Sequence, residues 1–92
     1  MSKKNKLEYE YLVCEIYYLK KDWEKVLIRA SNVLDSYELL EADYLPILYL
    51  KGEALKKMER FEEAQRVFLG IRQINPSYRI VGQRLEDIGK NK

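Results

Sequence analysis

The chain contains no histidine and a single cysteine, Cys14. Histidine is the commonest general base and the commonest metal ligand in proteins, so its absence argues against an enzyme and against a zinc site. One cysteine cannot form a disulfide within the chain, which fits a reducing compartment. Cys14 ends the apolar stretch Leu12–Cys14, which predicts a small buried side chain rather than a reactive thiol. We therefore expect no enzyme activity, no cofactor and no metal ion.

Glycine and proline are also scarce, with 4 and 2 residues respectively among 92, so long irregular loops are not expected. No stretch approaches the roughly 18 consecutive apolar residues that a membrane-spanning helix needs. The lysines near the start resemble the beginning of a signal peptide, but Glu8, Glu10 and Glu15 interrupt the segment that would have to be apolar. These features predict a cytoplasmic protein without a membrane partner.

The charges nearly balance, with 17 basic and 15 acidic residues and a net charge of +2. Such a chain creates no strong electrostatic field, so nucleic-acid binding is not implied. A weaker alternative is contact with RNA or a membrane surface through four basic residues near the end, Arg79, Arg84, Lys90 and Lys92. Glu86 and Asp87 lie among them and make this a poor basic patch.

Apolar residues recur at steps of three and four, which predicts five helices and no strand. The predicted helices cover about 7–19, 23–34, 45–58, 60–73 and 77–89. Asp22, Asp43 and Ser77 are the predicted N-terminal caps, and Asn75–Pro76 is a stop signal. The first helix has apolar residues on more than one face, which indicates packing on two sides.

Two parts of the chain repeat the same order of residue types. Trp23 and Phe61 are 38 residues apart, and around them Tyr11 recurs as Tyr49. A period between about 20 and 50 residues is typical of stacked helical or strand units. Because such stacks mostly form binding surfaces, the period favours a binding function.

The better copy, residues 45–76, resembles the tetratricopeptide repeat (TPR). The characteristic small, aromatic and proline positions of that family are held by Gly52, Phe61, Ala64, Phe68, Ile71 and Pro76. The first copy is weaker, because Cys14 stands where Gly52 does and no proline follows it. Its period also exceeds the 34 residues of the family.

The resemblance implies an all-α fold, a right-handed superhelical stack of two helix-turn-helix hairpins with a fifth, capping helix. The single domain would cover residues 7–89, with repeat 1 at about 7–42, repeat 2 at about 43–76 and the capping helix at 77–89. Residues 1–6 and 90–92 would be flexible tails. The outer, solvent-facing side of the capping helix would carry Arg79, Gln83, Arg84, Glu86 and Asp87.

By the same resemblance, the first helix of each hairpin lines a concave groove that holds a partner protein. The groove residues selected on this basis are Tyr11, Glu15, Tyr18, Tyr49, Glu53 and Lys56. Tyrosine suits a binding surface because its ring offers a large contact area at low entropic cost. The family's basic clamp for a terminal carboxylate is not reproduced, so a basic or apolar peptide or helix is the expected ligand, and not a small molecule.

Self-association is the alternative. Two repeats and a cap leave the outer face of the first helix without a neighbour, whereas about three repeats normally bury a continuous core. That face carries Tyr9, Leu12, Ile16 and Leu19. A homodimer through this face would close the stack.

Overall fold

The computed structural model describes residues 3–36, 44–79 and 81–91, with side chains described for 6–35, 44–79 and 81–89. Over these ranges the chain is all-helical and contains no strand, which confirms the predicted class. The helices are α1 (Lys3–Leu19), α2 (Trp23–Ser36), α3 (Leu45–Lys57), α4 (Phe61–Ile74) and α5 (Val81–Asn91). No described helix is both long enough and apolar enough to cross a membrane.

The turns between α1 and α2 and between α3 and α4 are built in the same way. The amide of Asp22 donates to the carbonyl of Tyr17, and the amide of Arg60 donates to the carbonyl of Leu55. Lys21 and Glu59, the residues before these donors, have φ angles of 62° and 61°. This is the Schellman motif, in which a left-handed residue ends a helix. The 38-residue period of the sequence therefore reappears in the backbone, although neither left-handed residue is glycine.

The core also follows the period. Val26, Ala30 and Val33 form the buried stripe of α2, and the corresponding positions of α4 hold Ala64, Phe68 and Ile71, all buried as predicted. Each helix packs against the next, and α1 also packs against α3. The central helix α3 is buried on two faces, because residues from Leu45 to Leu55 contribute to both hydrophobic clusters. Cys14 is fully buried, and burial followed by the charge of Glu10 raises its thiol pKa to about 11, as expected for a structural cysteine.

The helix boundaries differ from the prediction at both ends. The first helix begins at Lys3 rather than at residue 7, so residues 3–6 belong to α1. No glycine or proline interrupts this segment and its lysines are good helix formers, so the helix extends. The last helix continues past Gly89 to Asn91. Asp22 caps α2 as predicted, since its carboxylate accepts from the amide of Lys25 at 3.4 Å.

The predicted cap at Ser77 is wrong. Ser77 donates its amide and its hydroxyl to the Asn75 side chain, both at 3.2 Å. Arg79 then adopts a φ of 45°, so the chain enters the helix only at Val81. Asn75 therefore organises a turn of its own and delays the helix by one turn. The predicted cap Asp43 lies outside the described residues, as does most of the connection expected between the second and third helices, residues 35–42.

Gly52 lets α3 approach α4 closely. A Cβ atom built on Gly52 would lie 2.8 Å from two ring atoms of Phe68, which is fully buried. We expect Gly52→Ala to lower the free energy of unfolding by about 1–2 kcal/mol. Overpacking costs roughly 1–3 kcal/mol and outweighs the gain of up to about 1 kcal/mol in helix propensity.

Gly70 provides the matched control, because it lies in α4 and a Cβ there would meet nothing within 4 Å. Gly70→Ala is therefore expected to raise the free energy of unfolding by up to about 1 kcal/mol. Urea unfolding followed by circular dichroism measures both variants. Equal effects of the same sign would show that the close approach at Gly52 carries no cost.

Candidate functional site

The structure places the six selected groove residues near one another. Their partners come from α5, which provides Arg84 and Asp87, and from the turn before it, which provides Arg79. Glu53 lies at the centre and is 4% exposed. Its carboxylate accepts a hydrogen bond from the Tyr18 hydroxyl at 3.2 Å and pairs with the Arg84 guanidinium, with 2.6 Å between Nε and Oε1. The buried charge is thus matched by a cation and by a hydrogen bond, as burial of a carboxylate requires.

Arg84 and Asp87 extend this cluster along α5. Asp87 lies 3.6 Å from the Arg84 guanidinium and 3.5 Å from the Lys56 ammonium group. Burial is the largest single influence and acts to lower the pKa of Arg84. The charge of Glu53, together with Tyr49 and the hydrogen bond to Glu53, outweighs burial, so the pKa is raised and the guanidinium stays charged. The placement of Arg84 on the outer, solvent-facing side of the capping helix was wrong, because the need of Glu53 for a cation turns that side of α5 toward α3.

The second half of the site is a cluster of aromatic rings around Arg79, in which Tyr49 and Tyr78 meet edge to face. The Arg79 guanidinium carbon lies 4.8 Å from the ring centre of Tyr49 and 5.3 Å from that of Tyr78. Its Nη2 atom donates to the Tyr11 hydroxyl at 3.5 Å, and that hydroxyl donates to Glu15 at 3.1 Å. Arg79 lies in the turn before α5 and not on the helix as predicted, because the Asn75 turn holds it there.

These contacts close the predicted groove at two of its six positions. Tyr49 is 8% exposed and Glu53 is 4% exposed, with Arg79 covering the first and Arg84 neutralising the second. Tyr11, Glu15, Tyr18 and Lys56 remain partly exposed at its edge. Tyr49 and Glu53 therefore offer little surface to a partner in the described state, because Arg79 lies over the ring of Tyr49 and Arg84 pairs with the carboxylate of Glu53.

One sequence signal pointed to this arrangement. Glu53 stands between Gly52 and Ala54, one turn after the apolar Tyr49 and Leu50, so a carboxylate at a core position needed a cation as its partner. Arg84 precedes Leu85 and lies four residues before the buried Ile88, which places it beside the core face of α5. Arg79 gave no comparable signal. Its position depends on a left-handed backbone conformation, which arginine seldom adopts.

The pH dependence of stability gives a test of the Tyr18–Glu53 contact. Burial, followed by the charge of Glu53, raises the pKa of Tyr18 to about 12, against 10 for an ordinary tyrosine. The folded state therefore holds this proton more tightly than the unfolded state. The stabilisation is complete below pH 10 and is lost as the pH rises toward 12. We expect Tyr18→Phe to reduce this alkaline decline in the free energy of unfolding, measured by urea unfolding at intervals between pH 9 and 12. Identical declines would contradict the contact.

A different surface, on α1, was predicted to lack a neighbour. Four large apolar side chains, Tyr9, Leu12, Ile16 and Leu19, are 57%, 54%, 51% and 72% exposed. Their steps of three, four and three residues place them on one face of the helix, which we call the α1 stripe. Leu7 and Cys14, on the opposite face, are buried in the core. The first helix is thus apolar on two faces, as predicted, but the described chain covers one of them.

An ion pair fixes the orientation of α1. Arg29 of α2 contacts both carboxylate oxygens of Glu10, at 2.6 Å and 3.2 Å. This bidentate geometry is the strong form of an arginine–carboxylate pair. Because it ties one side of α1 to α2, rotation of α1 to bury the stripe would break it. The stripe is therefore held at the surface.

No group of three or more metal-ligating side chains is placed to hold a metal ion within the described ranges. The comparisons with models of protein families, with curated proteins and with solved structures found no match to this chain.

Proposed function

We propose that the chain is a TPR-like protein-interaction module that binds a helix of a partner protein along the α1 stripe. The observation that carries this proposal is the stripe itself: four large apolar side chains, each more than half exposed, on one face of a single helix. Single exposed apolar residues are ordinary, whereas large apolar side chains that adjoin one another on an exposed face are a feature of interaction sites.

The architecture supports the TPR-like part of the proposal. The two hairpins share their turn geometry at a spacing of 38 residues, and the small residue at Gly52 receives the ring of Phe68. The fifth helix packs against α4 and caps the second hairpin. We propose that the two hairpins form a right-handed superhelical stack, in which no described helix covers the outer face of α1. An uncapped end exposes the face that a further repeat would cover.

The chemistry of the stripe defines the partner class. Leu12, Ile16 and Leu19 offer aliphatic surface, and Tyr9 adds an aromatic ring with a polar hydroxyl. An amphipathic helix with apolar residues at steps of three and four matches this surface residue by residue. The proposal therefore assigns binding, without catalysis and without a cofactor, to a helix-on-helix contact.

The concave groove receives less support as the binding site. Its two most central residues, Tyr49 and Glu53, are buried under Arg79 and Arg84. The expectation of a basic partner rested on free carboxylates in the groove, and the charge of Glu53 is neutralised within the chain. The α1 stripe needs no displacement of any helix before it can bind.

Ile16→Asp tests the proposal, and Ile28→Asp is the matched control. Both isoleucines are exposed, at 51% and 62%, but Ile28 lies on α2. We expect a tagged chain carrying Ile16→Asp to retain its partner proteins at least tenfold less than wild type, because a charge in the middle of an apolar contact is strongly unfavourable. Quantitative affinity purification from the cell that expresses the chain measures retention.

The control should retain the same partners as wild type, and circular dichroism should show equal helix content in all three chains. Retention of the full partner set by Ile16→Asp would contradict the proposal. Loss of that set in both variants would also contradict it, because the effect would then not be specific to the stripe.

A further inference from the structure

We propose that the α1 stripe pairs with the α1 stripe of a second copy of this chain, with the two helices parallel. This inference rests on the proposed function, since it names the occupant of the same surface. It is carried by the order of residues along the stripe and by the charges that flank it.

The stripe has the register of a two-stranded coiled coil. In a heptad lettered a to g, the steps of three, four and three place Tyr9 and Ile16 at a positions, and Leu12 and Leu19 at d positions. A β-branched residue at a with leucine at d favours two parallel strands over higher oligomers. Ile16 between Leu12 and Leu19 is this combination. In a parallel pair, each of these residues would lie across from its own copy.

The flanking charges select the parallel orientation. Glu8 and Glu15 fall on one flank of the stripe, at g positions, and Lys6, Val13 and Lys20 fall on the other flank, at e positions. Lys20 follows the last residue of α1, but its amide still donates to the carbonyl of Ile16 at 3.0 Å, so it keeps the helical register. In a parallel pair, a g residue faces the e residue of the other helix five places further on. Glu15 of each copy therefore meets Lys20 of the other, which gives two attractive pairs per dimer. An antiparallel pair would set acidic flank against acidic flank and basic against basic.

The rest of the domain leaves room for this pairing. Leu7 and Cys14 occupy the f positions, directly away from the stripe, and both are buried against the other helices of the fold. The helices α2 and α3 pack against α1, and the four side chains of the stripe remain more than half exposed in their presence. Because the same surface is used by both copies, a two-fold axis closes the assembly at two chains.

The size of the contact predicts a weak dimer. Four exposed side chains per copy would bury on the order of 1,000 Å² in total, at the lower end of specific interfaces. A dissociation constant on the order of 10–100 µM is expected for such an interface. The chain, with a monomer mass of 11.1 kDa, should therefore be mainly monomeric at 1 µM and largely dimeric near 1 mM.

Sedimentation equilibrium from 1 µM to 1 mM, on the full chain, tests the pairing. Wild type should approach twice the monomer mass, Ile16→Asp should remain a monomer, and Ile28→Asp should behave as wild type. Lys20→Glu and Glu15→Lys should each weaken the dimer by at least threefold, since each creates like-charged pairs. The double variant Glu15→Lys/Lys20→Glu should restore the affinity. Lys57→Glu, an exposed charge change at the end of α3, is the control and should have no effect.

A symmetric disulfide gives an independent readout of orientation. Leu12→Cys, in a chain that also carries Cys14→Ala, should oxidise to a covalent dimer, because position 12 faces itself only when the helices are parallel. In an antiparallel pair, position 12 faces position 16 of the other copy. The substitution Ile16→Asp in the same chain should prevent the cross-link.

The failure of this inference is distinguishable from failure of the proposed function. A mass near 11.1 kDa at every concentration overturns the pairing of two copies, whereas loss of other partners in Ile16→Asp would still support the binding site. Tighter association of Lys20→Glu, or absence of the Leu12→Cys cross-link in a chain that dimerises, overturns the parallel orientation.

Discussion

Replacing Phe68 with alanine is expected to lower the free energy of unfolding by about 3–5 kcal/mol. The ring is fully buried, lies against Gly52 of α3 and meets Tyr49 edge to face at 5.9 Å between ring centres. Its removal leaves a cavity between the two helices of the second hairpin that rigid helices cannot fill. A domain of this size is stable by roughly 5–15 kcal/mol, so the variant should be close to unfolding at 37 °C.

A second substitution sharpens this prediction. In the Phe68→Ala chain, adding Gly52→Ala should stabilise, because the new methyl group enters empty space and alanine is a better helix former by about 1 kcal/mol. The same change destabilises the wild-type chain, so the effect of Gly52→Ala on the free energy of unfolding has opposite signs in the two chains. This difference is the coupling energy between the two sites. Urea unfolding of the four chains measures the coupling. A Gly52→Ala effect of the same sign in both would mean that the ring of Phe68 does not occupy the space above Gly52.

The second hairpin was the most predictable part of the fold. Ala64, Phe68 and Ile71 lie on the single apolar stripe of α4, and Gly52 of α3 faces the ring of Phe68. Packing alone therefore accounts for these four residues. Such positions are specified by size and periodicity, both of which are visible in the sequence. The exposure of the α1 stripe was predictable for the same reason, since α1 has apolar residues on two faces but only one helix next to it in the sequence.

The closure of the groove was not predictable from periodicity. It depends on Arg79 and Arg84, two arginines that read as solvent-facing charges on a capping helix. The position of Arg79 is set by the Asn75–Ser77 turn, which delays the start of α5 by about one turn, whereas Arg84 is turned toward α3 by its pairing with Glu53. The later start leaves Arg79 in the turn, where its guanidinium reaches the ring of Tyr49, so an error about the helix boundary became an error about the site.

Arg84→Leu is expected to lower the free energy of unfolding by about 2–4 kcal/mol. The substitution leaves the Glu53 carboxylate buried, at 4% exposure, without the cation that now lies 2.6 Å from it. Removing one member of a buried ion pair costs roughly 3–5 kcal/mol, and the partial exposure of Arg84, 26%, reduces that figure. Thermal or urea unfolding followed by circular dichroism measures the loss.

The reverse substitution should cost less, and this asymmetry is the test. Glu53→Leu leaves Arg84 with access to water and to Asp87, which lies 3.6 Å from its guanidinium. The double variant Glu53→Leu/Arg84→Leu should recover most of the stability, because two apolar side chains replace a pair whose desolvation was expensive. A Glu53→Leu effect larger than that of Arg84→Leu would contradict the burial of the carboxylate. Because the pair joins α3 to α5, hydrogen exchange in α5 should accelerate in Arg84→Leu and return toward the wild-type rate in the double variant. Faster exchange confined to α5 would identify the ion pair as the contact that keeps the groove closed.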